Sequence, residues 1–350
     1  MNERQHTTHL SRRNAIRAFL RSPQALLSED SHDPALLSHM PELVVEEALP
    51  QFEAAIHACW YLSRGLEFSG VEQALPVYLH GLEHLAREAS QERQRHAAAH
   101  LAAQGYQLAG ILASHRNQLA AREEYCRRSL HWARVADDPT LLVAVIATAG
   151  VTFHYTGQPT LALQMYQESY ASLDQASPLA KGSLFMKQAE AYAQLGLRRD
   201  AERSLNCAYR VFPPHPAEDP ASLYADCGAP SLCLWDGLTH LALSKAQAND
   251  ERAAHRLARR AWDALELCGG ARPPVVISER NYLEILNHQA ETAIVLDDLE
   301  LFLAFFPQVA TRARAFSSRR RRKEAIVVYW QARQHWPHEE RIKELAELFL

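Results

Sequence analysis

The chain has 350 residues, 47% of them hydrophobic and 22% charged, with a formal net charge of −4. That balance gives no global case for nucleic acid or an anionic membrane, and the longest apolar run, Leu141 to Phe153, is too short to span a bilayer. Alanine is abundant at 56 residues and glycine scarce at 13, which disfavours an all-β fold or a doubly wound sheet and favours helices.

Met1–Leu10 is polar, and Ser11 can cap a short helix over Arg12–Leu20. Pro23, Pro34 and Pro41 punctuate the stretch that follows. Residues 1–40 are therefore expected to form a basic, partly disordered leader, and residues 41–350 a single helical array. The pair Arg12-Arg13 has the look of a twin-arginine export signal. The apolar region such a signal needs is interrupted by Arg17 and Arg21 and ended by Pro23. The six cysteines are scattered, and no two have C-x-x-C spacing. Reduced thiols in a cytoplasmic protein fit this pattern better than a disulfide scaffold or a zinc ribbon.

Beyond the leader the chain divides into helix pairs. The spacing predicts Leu49–Gly65 with Val71–Ser90, Gln91–Ser114 with Gln118–Ala136, and Thr140–Tyr155 with Pro159–Gln175. Pro178–Leu195 with Arg198–Val211 follows, then a loop at Phe212–Pro220 with four prolines. The remaining pairs are Ser231–Gln247 with Asp250–Cys268, Val276–Leu296 with Asp298–Ala315, and Ser318–Trp336 with His338–Leu350. Gly269–Pro274 marks a clear break. Each pair leaves an apolar stripe that only its neighbours can cover.

Two of the pairs repeat a pattern. From Ala189, the residues Tyr192, Gly196, Ala201, Leu205 and Ala208 follow at fixed offsets. From Gly150, the residues Phe153, Gly157, Ala162, Tyr166 and Ser169 follow at the same offsets. Ala109, Leu112, Ala121 and Tyr125 give a weaker third copy. Small residues at Gly150, Ala189, Ala162 and Ala201 allow antiparallel helices to approach, and Phe153, Tyr192, Tyr166 and Leu205 fill the space beside them. Gly157 and Gly196 fall where a first helix must stop, a place that favours left-handed backbone. Pro213 stands past the end of a second helix.

These residues resemble the tetratricopeptide repeat (TPR) family. The match is good over 143–213 and fair over 97–139, with a period near 40 residues. The longer period is similar to the sensor regions of bacterial helix-turn-helix transcriptional regulators, and segment 11–21 resembles the connector that precedes such an array. Only ten residues stand before Ser11, so no helix-turn-helix domain is expected. The resemblance implies an all-α, TPR-like right-handed α-α superhelix, a solenoid of about seven helix pairs. It also implies a non-catalytic scaffold or sensor that holds a protein or peptide ligand in its concave groove, in bacterial signalling or transcriptional control. A homodimer through the array ends and a separate DNA-binding partner are both compatible with it.

A groove of this kind would be lined by first helices. The inward positions are then Tyr106 and Gly110, Val151, His154 and Tyr155, and Met186, Glu190 and Gln194. In the sixth pair Asn281, Glu284, His288 and Glu291 form one polar stripe with Asn287 beside it, while Leu283, Leu286, Ala290 and Ala293 form the apolar one. Amide, imidazole and carboxylate groups suit a peptide backbone, which offers both donors and acceptors. The bland alternative for each of these residues is a face turned to water.

A second reading rests on charge. The run Arg319, Arg320, Arg321, Arg322 and Lys323, with segment 11–21, could hold the phosphates of a nucleic acid or another polyanion. It lacks interleaved aromatics for stacking. Five cations at a helix start also oppose the macrodipole, so compensation by acids or by a partner is expected. Glu92, His96 and His100 share a helix face but lack a further zinc ligand. Cys126, beside Arg127 and Arg128, is a weak candidate nucleophile. No Gly-rich phosphate loop, GxSxG elbow or HExxH frame occurs in the sequence. No enzyme, cofactor or resident metal is expected.

Overall fold

The computed structural model describes residues 42–65, 68–225, 227–247, 249–269, 278–315 and 318–348. The leader with its helix at Arg12–Leu20, and most of the break at Gly269–Pro274, lie outside the described residues. Within them the secondary structure is helical, with fifteen α-helices and no strand. In chain order these are α1 (Glu42–Leu62), α2 (Ser69–Glu88), α3 (Glu92–His115), α4 (Leu119–Val135), α5 (Pro139–Tyr155), α6 (Pro159–Gln167), α7 (Tyr170–Leu173) and α8 (Pro178–Gln194). They continue as α9 (Arg198–Val211), α10 (Ala229–Ala246), α11 (Glu251–Gly269), α12 (Glu279–Val295), α13 (Leu299–Ala315), α14 (Arg319–His335) and α15 (Glu340–Glu344).

Helices pack as pairs, as the spacing predicts: α1 with α2, α3 with α4, α5 with α6 and the short α7, α8 with α9, α10 with α11, α12 with α13, and α14 with α15. Local chemistry sets the boundaries. The Asp138 carboxylate accepts from the Thr140 and Leu141 amides at the start of α5, and Ser177, Ser278 and Ser318 cap α8, α12 and α14 in the same way. Gly157 and Gly196 close α5 and α8 in left-handed backbone, at φ +67° and +71°.

Three elements depart from expectation. The first helix begins at Glu42 and runs through Pro50, so the missing proline N–H does not end it. The segment expected as one helix over Pro159–Gln175 breaks between α6 and α7. There the Ser169 hydroxyl takes the Tyr166 carbonyl at 2.7 Å, the local competition with the helix ladder that serine favours. The last helix is short, and a 3-10 turn at Leu345–Leu348 follows it.

Side-chain size governs the pair contacts. A Cβ at Gly150 would lie 2.1 Å from Tyr166 Cε1, so only glycine lets α5 approach α6 across that ring. Tyr166, Leu141, Ile146 and Leu179 are among the largest fully buried side chains. The proline-rich loop after α9 folds back into this core. Its Asp219 carboxylate accepts from the Leu179 amide at 3.0 Å, and its Tyr224 carbonyl accepts from Gln107 at 2.8 Å.

The inner helices α3, α5, α8, α10, α12 and α14 touch in that order, and α14 also touches α3. The array therefore closes into a ring. Ser318 Oγ sits 3.0 Å from His115 Nδ1 and donates to the His115 carbonyl at 3.3 Å, tying α14 to α3. A second tie runs from the Glu279 amide to the Arg64 carbonyl at 3.3 Å.

Candidate functional site

The ring interior holds two adjoining chambers, both partly open to solvent. The larger, about 450 Å³, lies toward the C-terminal ends of α5, α8, α10 and α12 and is lined as well by α14. Of the residues proposed to face a groove, His154, Tyr155, Glu190, Gln194, Glu284, Asn287, His288 and Glu291 all line it. Asn281 lines the smaller chamber, of about 70 Å³, as does Val151. Tyr155, Trp235, Glu284 and Arg320 belong to both walls.

Tyr106, Gly110 and Met186 are elsewhere. Tyr106 accepts a hydrogen bond from Arg128 at 3.0 Å in a separate outer groove of about 780 Å³ between α2 and α4. Gly110 faces Tyr125 and Cys126 of α4. Met186 packs on Ala208 and Leu232. In α3 the ring-facing positions are Ile111, Ser114 and His115, so the weaker third repeat copy is set on the wrong face.

The larger chamber is held by coupled polar pairs. His154 Nδ1 lies 3.0 Å from Glu190, and its Nε2 lies 2.8 Å from Tyr166 Oη. The carboxylate favours a proton on Nδ1, and Nε2 stands within hydrogen-bond distance of the tyrosine hydroxyl. Burial opposes the charge on Glu190, but His154, with His288 and Gln194 behind it, holds its carboxyl below the ordinary range. Burial also opposes Glu291, yet hydrogen bonds from His288 at 3.2 Å and Lys245 at 2.6 Å bring it down to about 2. Asn287 is 2% exposed, and neither polar atom of its amide has a hydrogen-bond partner.

The basic run divides. Arg319, Arg322 and Lys323 are exposed, whereas Arg320 and Arg321 turn into the ring. Arg321 binds Glu284 and, at 2.7 Å, Glu324; Arg320 binds Glu324 at 2.7 Å and lies 3.2 Å over the Tyr155 ring. Burial works against Glu324, but Arg321 and Arg320 hold it at about 2. The acids expected to compensate the helix start are thus Glu324, one turn along α14, and Glu284 of α12. The two inward arginines are withdrawn from any surface that a nucleic acid could reach.

The smaller chamber contains the residues that sequence reasoning missed. Arg122, Lys187 and Arg280 are each at most 5% exposed and line it beside Arg320 and Arg321. Arg122 Nε donates to Thr152 Oγ1 at 2.8 Å, and its other nitrogens reach the carbonyls of Thr148 and Gly110. His115 is fully buried here. Burial, and then Arg321, Arg280, Arg320 and Arg122, hold its imidazole well below the ordinary range, so it is neutral. A signal existed for two of them: Arg280 stands one helical turn before Glu284, and Lys187 one turn before Glu190. Arg122 is on an outer helix, and nothing local marked it.

Among the described residues, no group of three or more His, Cys, Asp or Glu side chains is placed to hold a metal ion. Of the Glu92, His96 and His100 face, His100 instead lies 3.3 Å from Asp138. Cys126 Sγ packs 3.8 Å from Thr152 Oγ1. Among the described residues no helix is long and apolar enough to cross a membrane. Neither a protein-family model nor a curated protein matches the chain.

Proposed function

We propose that this chain is a non-catalytic ligand-binding module, a TPR-like superhelix whose ring interior takes a short peptide or a peptide-like polar ligand. One observation carries the reading: five inner helices converge on a partly open chamber of about 450 Å³ lined by amide, imidazole, carboxylate and ammonium groups. Volumes of this order suit ligands rather than packing defects. The unpaired Asn287 amide adds support, because a buried amide without partners costs stability that a ligand's N–H and C=O would restore. A role in bacterial signalling or transcriptional control, in the cytoplasm and with a separate effector, follows from the family resemblance. Closure of the ring favours a small or short ligand over a whole protein surface in the groove.

The test is a binding screen of the full chain against a short-peptide library, repeated with Glu190→Ala and Asn287→Ala. Peptides that bind the natural chain at least about tenfold more tightly than both variants support the reading. Hits that bind all three chains equally would place the ligand elsewhere. The polyanion alternative retains Arg319 and Arg322; salt-dependent retention on DNA that is lost in their alanine variants would favour it.

A further inference from the structure

We propose that the smaller chamber is an oxyanion site, taking a carboxylate or phosphate group of a small molecule whose remainder occupies the larger chamber. The inference rests on the ligand-binding reading above and names the chemistry of the ligand.

The argument begins with charge. Arg122, Arg280, Arg320, Arg321 and Lys187 converge on a chamber of about 70 Å³. Glu284 lines it, and Glu324 stands behind it. Both carboxylates are taken up by Arg320 and Arg321, and for Glu324 those contacts favour the ion more than burial disfavours it. Arg122 is different. Its guanidinium has five N–H donors; three go to the neutral oxygens of Thr152, Gly110 and Thr148, none of them a carboxylate. It also lies 5.0 Å from the Tyr155 ring, on which Arg320 stacks as well. Two guanidinium groups thus share one aromatic ring, with their remaining donors near the same space.

A cation taken out of water is costly unless an opposing charge is close. Charge-assisted and bidentate contacts to an oxyanion are what arginine forms best. His115 lies in the same field: burial first, and then four arginines, disfavour its charge. The sizes agree too. The smaller space suits a single acidic group, and the walls it shares with the larger one, at Tyr155, Trp235, Glu284 and Arg320, let one molecule occupy both.

The experiment uses the full chain in chloride buffer at fixed ionic strength. Inorganic phosphate, sulfate or acetate is titrated in while melting temperature and tryptophan fluorescence are followed. The expected result is a saturable rise in melting temperature and a fluorescence change that Trp235→Phe abolishes. Arg122→Gln should weaken the response about tenfold or more, and Lys187→Gln provides a second variant should Arg122→Gln fail to fold by circular dichroism. Arg322→Ala, at an exposed cation outside both chambers, should leave binding of these small anions unchanged. The relative strength of acetate and phosphate identifies which acidic group the site prefers. No saturable response to any of the three anions, or an unaltered response in both cation variants, overturns the proposal. Peptide binding without an anion response would leave the ligand-binding reading standing and remove this one; an anion response without peptide binding would support the oxyanion site and exclude a peptide as the remainder of the ligand.

Discussion

Gly150→Ala joins the repeat pattern to the ligand chamber in one substitution. Alanine in a helix interior gains about 1 kcal/mol over glycine. Here the new methyl would stand 2.1 Å from Tyr166 Cε1, 2.7 Å from Cζ and 2.9 Å from Cδ1. The ring must retreat by about an ångström to reach ordinary contact, and it is fully buried with nowhere to go. Overpacking of this kind costs about 1–3 kcal/mol. Displacing the ring also breaks the 2.8 Å bond from Tyr166 Oη to His154, leaving a buried hydroxyl unpaired at about 1–3 kcal/mol. After the helix gain is subtracted, a net loss of about 1–5 kcal/mol remains. Gly110→Ala is the control. It is also a glycine inside a helix, but its nearest contact, Cys126 Sγ, lies at 3.5 Å, so alanine should be neutral or stabilising by up to about 1 kcal/mol. Urea titration of both variants, followed by circular dichroism, measures the difference. A Gly150→Ala chain as stable as the natural one would refute the packing argument, and with it the reason for a small residue at this repeat position.

The ring's internal charges give three further expectations. Glu284→Gln leaves buried Arg321 with only Glu324, which should cost about 2–3 kcal/mol in chemical unfolding, below the full cost of breaking a buried pair. Arg319→Ala and Arg322→Ala, on the exposed side of the same helix, should change stability by less than about 0.5 kcal/mol; equal losses from inward and outward positions would contradict the split. Stability should also fall with acid in two windows. His115 has a folded-state pKa below its ordinary 6.5, so the unfolded chain takes the proton first and stability is lost as pH drops below that value. Glu291 and Glu324 are held at about 2 against an ordinary 4.5, so their contribution is whole above 4.5 and lost as pH falls toward about 2. Melting temperatures across pH 8 to 3 check this, with His115→Gln expected to flatten the limb between pH 7 and 5.

The parts of the fold legible in sequence are those with local causes. Gly157 and Gly196 announce left-handed stops, and Gly150 with Tyr166 announces a close approach, because both partners lie within one helix pair. The polar stripe from Glu284 to Glu291 is legible for the same reason, since helical spacing alone puts it on one face. Closure of the ring is not. It depends on Ser318 meeting His115 across 203 positions, and no periodicity records a contact between the first and last thirds of a chain. The inward turn of Arg320 and Arg321 follows from that closure, so five adjacent cations look alike in sequence and differ only once α14 has docked. Tyr106 failed for a smaller reason: on α3 a one-residue error in repeat alignment rotates the choice by about 100°, from the ring face to the outer groove.

The charged interior itself calls for a reason beyond folding. Two buried ion pairs replaced by well-packed apolar side chains of similar volume are often neutral or stabilising, and the alanine- and leucine-rich walls of this chain could supply such packing. Instead, inner helices from five different pairs direct charged or amide side chains into one shared space. Their geometry is fixed by neighbours that do not themselves face the chamber. Tyr166 orients His154, which orients Glu190; Ser318 holds α14 so that Arg321 meets Glu284. Such supports hold polar groups in place before a ligand arrives, which lowers the ordering cost of binding. An apolar substitution set at Glu284, Arg320, Arg321 and Glu324 should therefore keep or raise the melting temperature while abolishing any ligand response. If the quadruple variant lost stability in proportion to the single ones, the interior charges would be structural and the chamber would have no claim to a ligand.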